Sequence, residues 1–111
     1  MELIKEKKPV GQVVHFSLKD GDKEIGRAYL YLLKNDYHKE PFGLLEYVAV
    51  DEAYRGQGLG VGIVKEIIKE AKENGCYKLI ATSRHGREGL HKWYEELGFK
   101  NHGLEFRINF I

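Results

Sequence analysis

The sequence predicts one α+β domain with α/β character, built on a single mixed β-sheet with helices packed on its faces. Three observations lead there. The chain has 111 residues, a length that suits one domain and one core of ordinary size. Apolar and β-branched residues alternate through its first half, the period of a strand. From Leu59 the period changes to that of an amphipathic helix. The resulting element order is βββ-α-β-α-ββ, about six strands and two helices over residues 1–111.

Residues 1–12 are charged and end in Pro9 and Gly11, which reads as a lead-in. Val13 to Leu18 alternates and is β-rich, and Asp20-Gly21 after it signals a tight turn. Glu24 to Leu33 is the second strand. Ile25, Tyr29, Tyr31 and Leu33 lie on one face and Ala28, Leu30 and Leu32 on the other, so a strand covered on both sides is expected. A polar loop over residues 34–43 precedes a third strand, Leu44 to Val50, interrupted only by Glu46.

From Leu59 onward, Gly60, Ile63, Val64, Ile67, Ile68 and Ala71 recur at helical spacing, opposite Lys65, Glu66, Lys69, Glu70 and Lys72. Asn74-Gly75 stops this helix, with Gly75 suited to the left-handed position after the last turn. Tyr77 to Thr82 is a fourth strand. Leu90, Trp93, Tyr94 and Leu97 define a shorter second helix, stopped at Gly98. Phe99 to His102 reads as a fifth strand. Leu104, Phe106, Ile108 and Phe110 alternate with Glu105, Arg107 and Asn109 as a sixth. There is no internal repeat, low-complexity tract or linker.

Composition excludes several functions. The 18 basic and 17 acidic residues give a net charge of +1, without the basic excess of a protein that tracks phosphates or docks on an acidic membrane. One cysteine, Cys76, allows neither an intramolecular disulfide nor a four-cysteine metal site. The five histidines form no H-x-x-x-H pair, so zinc is not expected. No apolar run approaches the roughly 20 residues of a membrane span, and the N-terminus lacks the apolar region of a signal peptide. A cytoplasmic setting is expected.

The informative segment is Val50-Asp51-Glu52-Ala53-Tyr54-Arg55-Gly56-Gln57-Gly58-Leu59-Gly60-Val61-Gly62. A buried strand ends, a turn follows, and a glycine-rich run opens a helix. Such an opening leaves backbone N–H groups unpaired at the positive end of the helix dipole, which suits phosphate. Glycines let a bulky anion approach the backbone, and Arg55 adds a cation at the mouth. No Gly-Lys-Ser/Thr of a P-loop occurs, and the G-x-G-x-x-G dinucleotide pattern fails from both Gly56 and Gly58. Small residues for tight packing are the bland alternative, which the combination of strand, arginine, glycines and long helix disfavours.

Here the sequence resembles a known family. Arg55-Gly56-Gln57-Gly58-Leu59-Gly60 matches the R/Q-x-x-G-x-G/A signature of the GNAT superfamily of N-acetyltransferases. Leu45 to Val50 looks like the strand before that signature. Leu90-His91-Lys92-Trp93-Tyr94-Glu95-Glu96-Leu97-Gly98-Phe99 resembles the family's A-x-x-F-Y-x-x-x-G-F segment. The resemblance covers about residues 24–111. It departs in three places: the Asp20-Gly21 turn leaves no room for the helices usual between the first two strands, Arg87 stands where many members have Asn, and Leu90 replaces the common Ala.

The resemblance implies a mostly antiparallel sheet and acetyl transfer from acetyl-CoA, as co-substrate and without a metal, to an amine of a small molecule or protein. The pyrophosphate would lie on the N–H groups of Gln57, Gly58, Leu59, Gly60 and Val61, with Arg55 and Gly56 in the same turn. The pantetheine arm would run along Val48 and Val50. Such a reaction needs a base for the ammonium, an oxyanion donor and an acid for the thiolate. Glu46, within an apolar strand, reads either as a base with its pKa raised by burial or as an ion-paired strand-end carboxylate. Tyr94 reads as the acid or as core packing, with Trp93 as core.

His85 and His91 could line the acceptor site, though such histidines are more often partly exposed surface residues; His38 and Glu40 lie in a loop that could border the cleft; Arg84 and Arg87 could meet the coenzyme's phosphates or an acidic substrate, and a solvated helix entry serves them equally. Cys76 reads as a structural thiol rather than a nucleophile. The alternative function on the same fold is a non-catalytic acyl-CoA-binding or regulatory module. Expected partners are acetyl-CoA and an amine acceptor, with no nucleic acid or membrane, and a homodimer is left open.

Overall fold

The computed structural model describes residues 1–82 and 88–111. The expectations for Arg84, His85 and Arg87 fall outside the described residues. The chain divides into two compact units, Met1–Ile80 and Ala81–Ile111.

The first unit carries strands β1 (Gly11–Asp20), β2 (Lys23–Leu33) and β3 (Phe42–Val50), a single 3₁₀ turn at Glu52–Tyr54 and helix α1 (Leu59–Glu73). Strand β4 (Leu79–Ala81) follows, and helix α2 (Glu88–Glu96) belongs to the second unit. The sheet order is β1-β2-β3-β4. β1 and β2 form an antiparallel hairpin in which Asp20 faces Lys23. β2 and β3 are antiparallel too. Tyr77 N–H donates to the Pro41 carbonyl and Gly43 N–H to the Lys78 carbonyl, so β4 and β3 advance in the same sense. The β3-α1-β4 stretch is thus a parallel crossover, and the sheet is mixed.

α1 and β2 supply most of the core. Ile63, Val64, Ile67 and Ala71 lie buried on one stripe of the helix, with Ala28, Leu30 and Leu32 of β2 and Leu45 of β3. Leu30, Val64 and Ile67 are fully enclosed, and side chains of this kind each contribute about 1.5–3 kcal/mol on burial. The other face of β2, with Tyr29 and Tyr31, is half-buried, so its two faces are not equally covered as the sequence led one to expect. α1 ends as anticipated. Gly75 is left-handed at φ 74°, and the N–H groups of Gly75 and Cys76 reach back to the Lys72 and Ala71 carbonyls.

β3 is not regular. Arg27 faces Ala49 and Tyr29 faces Glu46, so β3 carries one residue more than β2 between these pairs. Tyr47 absorbs the excess at φ 62°, a left-handed conformation that is unusual for a bulky residue.

In the second unit, α2 closes with Leu97 N–H on the Trp93 carbonyl and Phe99 N–H on the Tyr94 carbonyl. The rings of Trp93 and Tyr94 lie 5.1 Å apart and those of Tyr94 and Phe99 5.3 Å. Trp93 is half-buried rather than enclosed.

The expected fifth and sixth strands do not form: residues 99–102 and 104–110 pair with no strand, and the described sheet has four strands rather than about six. Alternation in sequence sorts side chains onto two faces, but a strand also needs a ladder partner. Leu104, Phe106, Ile108 and Phe110 are all strongly exposed.

Candidate functional site

The site is built where β3 ends and α1 begins. Asp51 N–H donates to the Ile25 carbonyl at 2.8 Å. By the alternation of an antiparallel pair, Val50, opposite Gly26, turns its backbone groups away from β2. Val48 precedes it by two residues, and both side chains are half-buried. β4 has three residues against nine in β3, so among the described residues much of this edge has no partner strand. Arg55 Nε donates to the Val50 carbonyl at 2.9 Å, which tethers the guanidinium to the strand end.

The chain then turns tightly. Tyr54 N–H bonds the Asp51 carbonyl and Arg55 N–H the Glu52 carbonyl. Gly56 and Gly58 are left-handed at φ 81° and 77°, a conformation that any side chain would strain. Gly58 caps α1, and Gly62 N–H on the Gly58 carbonyl at 3.1 Å is the first i→i−4 bond. The N–H groups of Leu59, Gly60 and Val61 precede that bond and face the helix end. Among the described residues, a Cβ at Gly56 or Gly58 would meet no atom within 4 Å apart from its chain neighbours. The first N–H groups of this 15-residue helix, at its positive end, are the kind of donors an anion takes.

Side chains that the sequence reading did not single out hold this turn. Arg27 Nη2 donates to Asp51 Oδ1 at 2.7 Å, and Arg27 Nε to Glu24 Oε2 at 3.0 Å. Ser17 Oγ donates to the other oxygen of Glu24 at 2.6 Å. Tyr54 hydroxyl donates to Asp20 Oδ2 at 2.8 Å, which ties the turn to the hairpin. The bond from Arg27 pulls the Asp51 carboxyl below its usual range. Ser17 and then Arg27 do the same for Glu24, and the bond to Asp20 raises the Tyr54 phenol. The available signal was an arginine in an apolar strand and an aspartate directly after another.

Glu46 differs from expectation. It is exposed rather than buried. The extra residue of the β3 bulge adjoins it, and Tyr29 lies opposite, stacked on His15 at 4.7 Å. Tyr94 is half-buried in the second unit between Trp93 and Phe99.

His38 stacks on Tyr77 at 3.7 Å, with Nδ1 3.3 Å from a Glu40 carboxylate oxygen. Burial pushes the Cys76 thiol up, which disfavours a nucleophilic thiolate. Among the described residues no three His, Cys, Asp or Glu side chains are grouped to hold a metal ion. No helix of the described residues is long and apolar enough to cross a membrane.

A helix N-terminus opened by left-handed glycines, with an arginine tethered to the strand end beside it, has the features that suit an anion. The model of the acetyltransferase (GNAT) family matches residues 3–99, and the chain belongs to that family. Among curated relatives, a glucosamine 6-phosphate N-acetyltransferase of Trypanosoma brucei brucei is 37% identical over 67 residues, 60% of this chain and 44% of that protein. Human N-alpha-acetyltransferase 30 is 34% identical over 76 residues, 67% of this chain and 21% of that protein. The chain thus spans less than half the length of either. A solved Trypanosoma brucei acetyltransferase superposes with TM-score 0.77 at 30% identity, covering 87% of this chain and 68% of that one. Glucosamine-6-phosphate N-acetyltransferase from Arabidopsis thaliana shares the fold, with TM-score 0.79 at 24% identity over 89% of this chain and 67% of that one.

Proposed function

We propose that the protein transfers an acetyl group from acetyl-CoA to a primary amine of a small molecule or of a protein. The observation that carries this reading is the start of α1. Gly56 and Gly58, both left-handed, open the helix, whose first N–H groups precede its own i→i−4 bonds, and Arg55 is tethered to the strand end. Those groups suit a pyrophosphate. The Val48 and Val50 backbone, turned from β2, suits an amide-bearing arm laid along the strand. Acetyl-CoA carries both chemical features and supplies the activated acyl group.

In this reading Glu46 takes the proton of the ammonium. Its exposure favours relay through water over direct contact, since an exposed carboxylate is hydrated. The Tyr94 hydroxyl returns a proton to the departing thiolate. A phenol with an unperturbed pKa of about 10 is protonated at neutral pH and matches a thiolate base. The domain 1–111 acts as one unit, in the cytoplasm and without a metal ion.

The relatives acetylate a sugar amine or, by name, an α-amine, so both classes belong in the test. Release of free CoA is measured with acetyl-CoA and a panel that contains glucosamine 6-phosphate and peptides with free N-termini. Amine-dependent release supports the reading. Coenzyme binding without release on any amine would replace it by a non-catalytic acyl-CoA-binding module.

A further inference from the structure

We propose that the sheet face turned away from α1 receives the acceptor, and that the acceptor is an amine borne on an aromatic ring, without a phosphate or other anionic group. The inference rests on the proposed acetyl transfer, with Glu46 taking the ammonium proton, and names the substrate class of that site.

Register places the residues of this face. Ala28, Leu30 and Leu32 of β2 are buried on the α1 side, so Arg27, Tyr29 and Tyr31 stand on the other. Tyr29 lies opposite His15 of β1 and Glu46 of β3, which makes one row across three strands. Tyr31 lies opposite Val13 and Leu44, which makes an apolar row beside the first. The rings of His15 and Tyr29 stack at 4.7 Å and those of Tyr29 and Tyr31 at 6.2 Å, with planes 20° and 12° apart. Tyr29 and Tyr31 are half-buried, while Val13 and His15 are exposed. Such a stack takes a flat apolar group, and its π electrons attract a cation.

Charge narrows the choice. The basic side chains next to Tyr29 already face carboxylates. Arg27 stands 3.0 Å from Glu24 and 2.7 Å from Asp51, and His15 Nε2 stands 3.5 Å from Glu24. Glu46 closes the row as an exposed carboxylate. An ammonium is drawn to that end, whereas a phosphate meets Glu46 and cations that other acids hold. As cross-strand neighbours, Tyr29 and Glu46 have Cβ atoms about 5 Å apart. A ring joined to its amine by two carbons covers that distance, with the ring on the tyrosines and the ammonium at Glu46. The glucosamine 6-phosphate in the name of a curated relative is the opposite case, since its anion would fall on the same acidic surface.

The test measures release of free CoA from acetyl-CoA with phenethylamine, with a peptide that has phenylalanine at its free N-terminus, and with glucosamine 6-phosphate. Both ring-bearing amines should exceed the sugar phosphate in kcat/KM by about a hundredfold. Whichever of the two leads assigns the ring to a free amine or to a protein N-terminus. Tyr29→Ala should raise their KM about tenfold and leave kcat and acetyl-CoA affinity nearly constant, because the ring binds ground state and transition state alike. A titration of the ¹⁵N-labelled parent with phenethylamine needs no variant, and the amides of His15, Tyr29, Tyr31 and Glu46 should shift most. A preference for glucosamine 6-phosphate, an unchanged KM in Tyr29→Ala, or the absence of shifts at these four residues would each overturn the inference and leave acetyl transfer standing. Shifts on this face without CoA release on any amine would instead overturn acetyl transfer, and with it the acceptor role, while the face stays a site for ring-bearing amines.

Discussion

The turn at residues 51–61 and the stretch from α2 to Phe99 are held in different ways, and under the proposed function the difference would separate binding from turnover. The turn is pinned by charged and hydroxyl groups: Arg27 on Asp51, Tyr54 on Asp20, and Arg55 on the strand end. It offers a ligand its backbone, and its position is set by β2 and the hairpin. The α2 stretch is held by aromatic packing, with Tyr94 between Trp93 and Phe99. Under the proposed function it would supply the Tyr94 hydroxyl to the reaction. Variants of the turn should therefore move coenzyme affinity, and variants of Tyr94 should move kcat.

The largest effect is expected at Tyr94. Phe keeps the ring contacts and removes the hydroxyl, so Tyr94→Phe should lower kcat by about 10²–10⁴ at nearly constant acetyl-CoA affinity. Steady-state kinetics beside calorimetry would show it. Equal losses in both quantities would break the division between the two regions.

Next comes Gly58→Val, which forces a branched residue into φ 77°. Coenzyme Kd should rise about 100-fold by calorimetry, and Tm should fall because such strain costs on the order of 1–3 kcal/mol. Glu46→Gln should act more weakly, since the carboxylate is exposed and its proposed role is relay through water. About tenfold lower kcat and a flattened acidic limb of the pH–rate profile are expected.

The smallest effect sharpens the account of the anchor. Asp51 and Glu24 titrate below their ordinary 3.8 and 4.5 because their charged forms are hydrogen-bonded. Folded values depressed in this way add stability at neutral pH that is lost as pH falls through them. The Tm of the parent should thus drop more steeply between pH 5 and pH 3 than that of Asp51→Asn, and the two curves should converge at the acid end. At neutral pH the variant should bind coenzyme on the order of two- to fivefold more weakly.

The sequence made local features legible and concealed pairings between distant ones. Helix α1 was readable from its apolar stripe and from Gly75, because both signals lie within the helix they describe. The glycine run was readable because backbone freedom is a property of the residue itself. The Arg27–Asp51 pair joins positions 24 apart, and no local pattern reports it. Glu46 looked enclosed because its sequence neighbours are apolar, but a bulge at Tyr47 is set by the register against β2. Residues 104–110 have the alternation of a strand but join no strand among the described residues, which sequence period cannot reveal.

The central claim is that backbone N–H groups at the start of α1 receive the coenzyme's pyrophosphate. Amide chemical-shift mapping of ¹⁵N-labelled protein, titrated with CoA, tests it directly. The account predicts that Gln57, Gly58, Leu59, Gly60 and Val61 shift most, that Gly58→Val abolishes those shifts, and that 3′-dephospho-CoA, which keeps the pyrophosphate, preserves them. Largest shifts elsewhere, with these five amides unmoved, would contradict it.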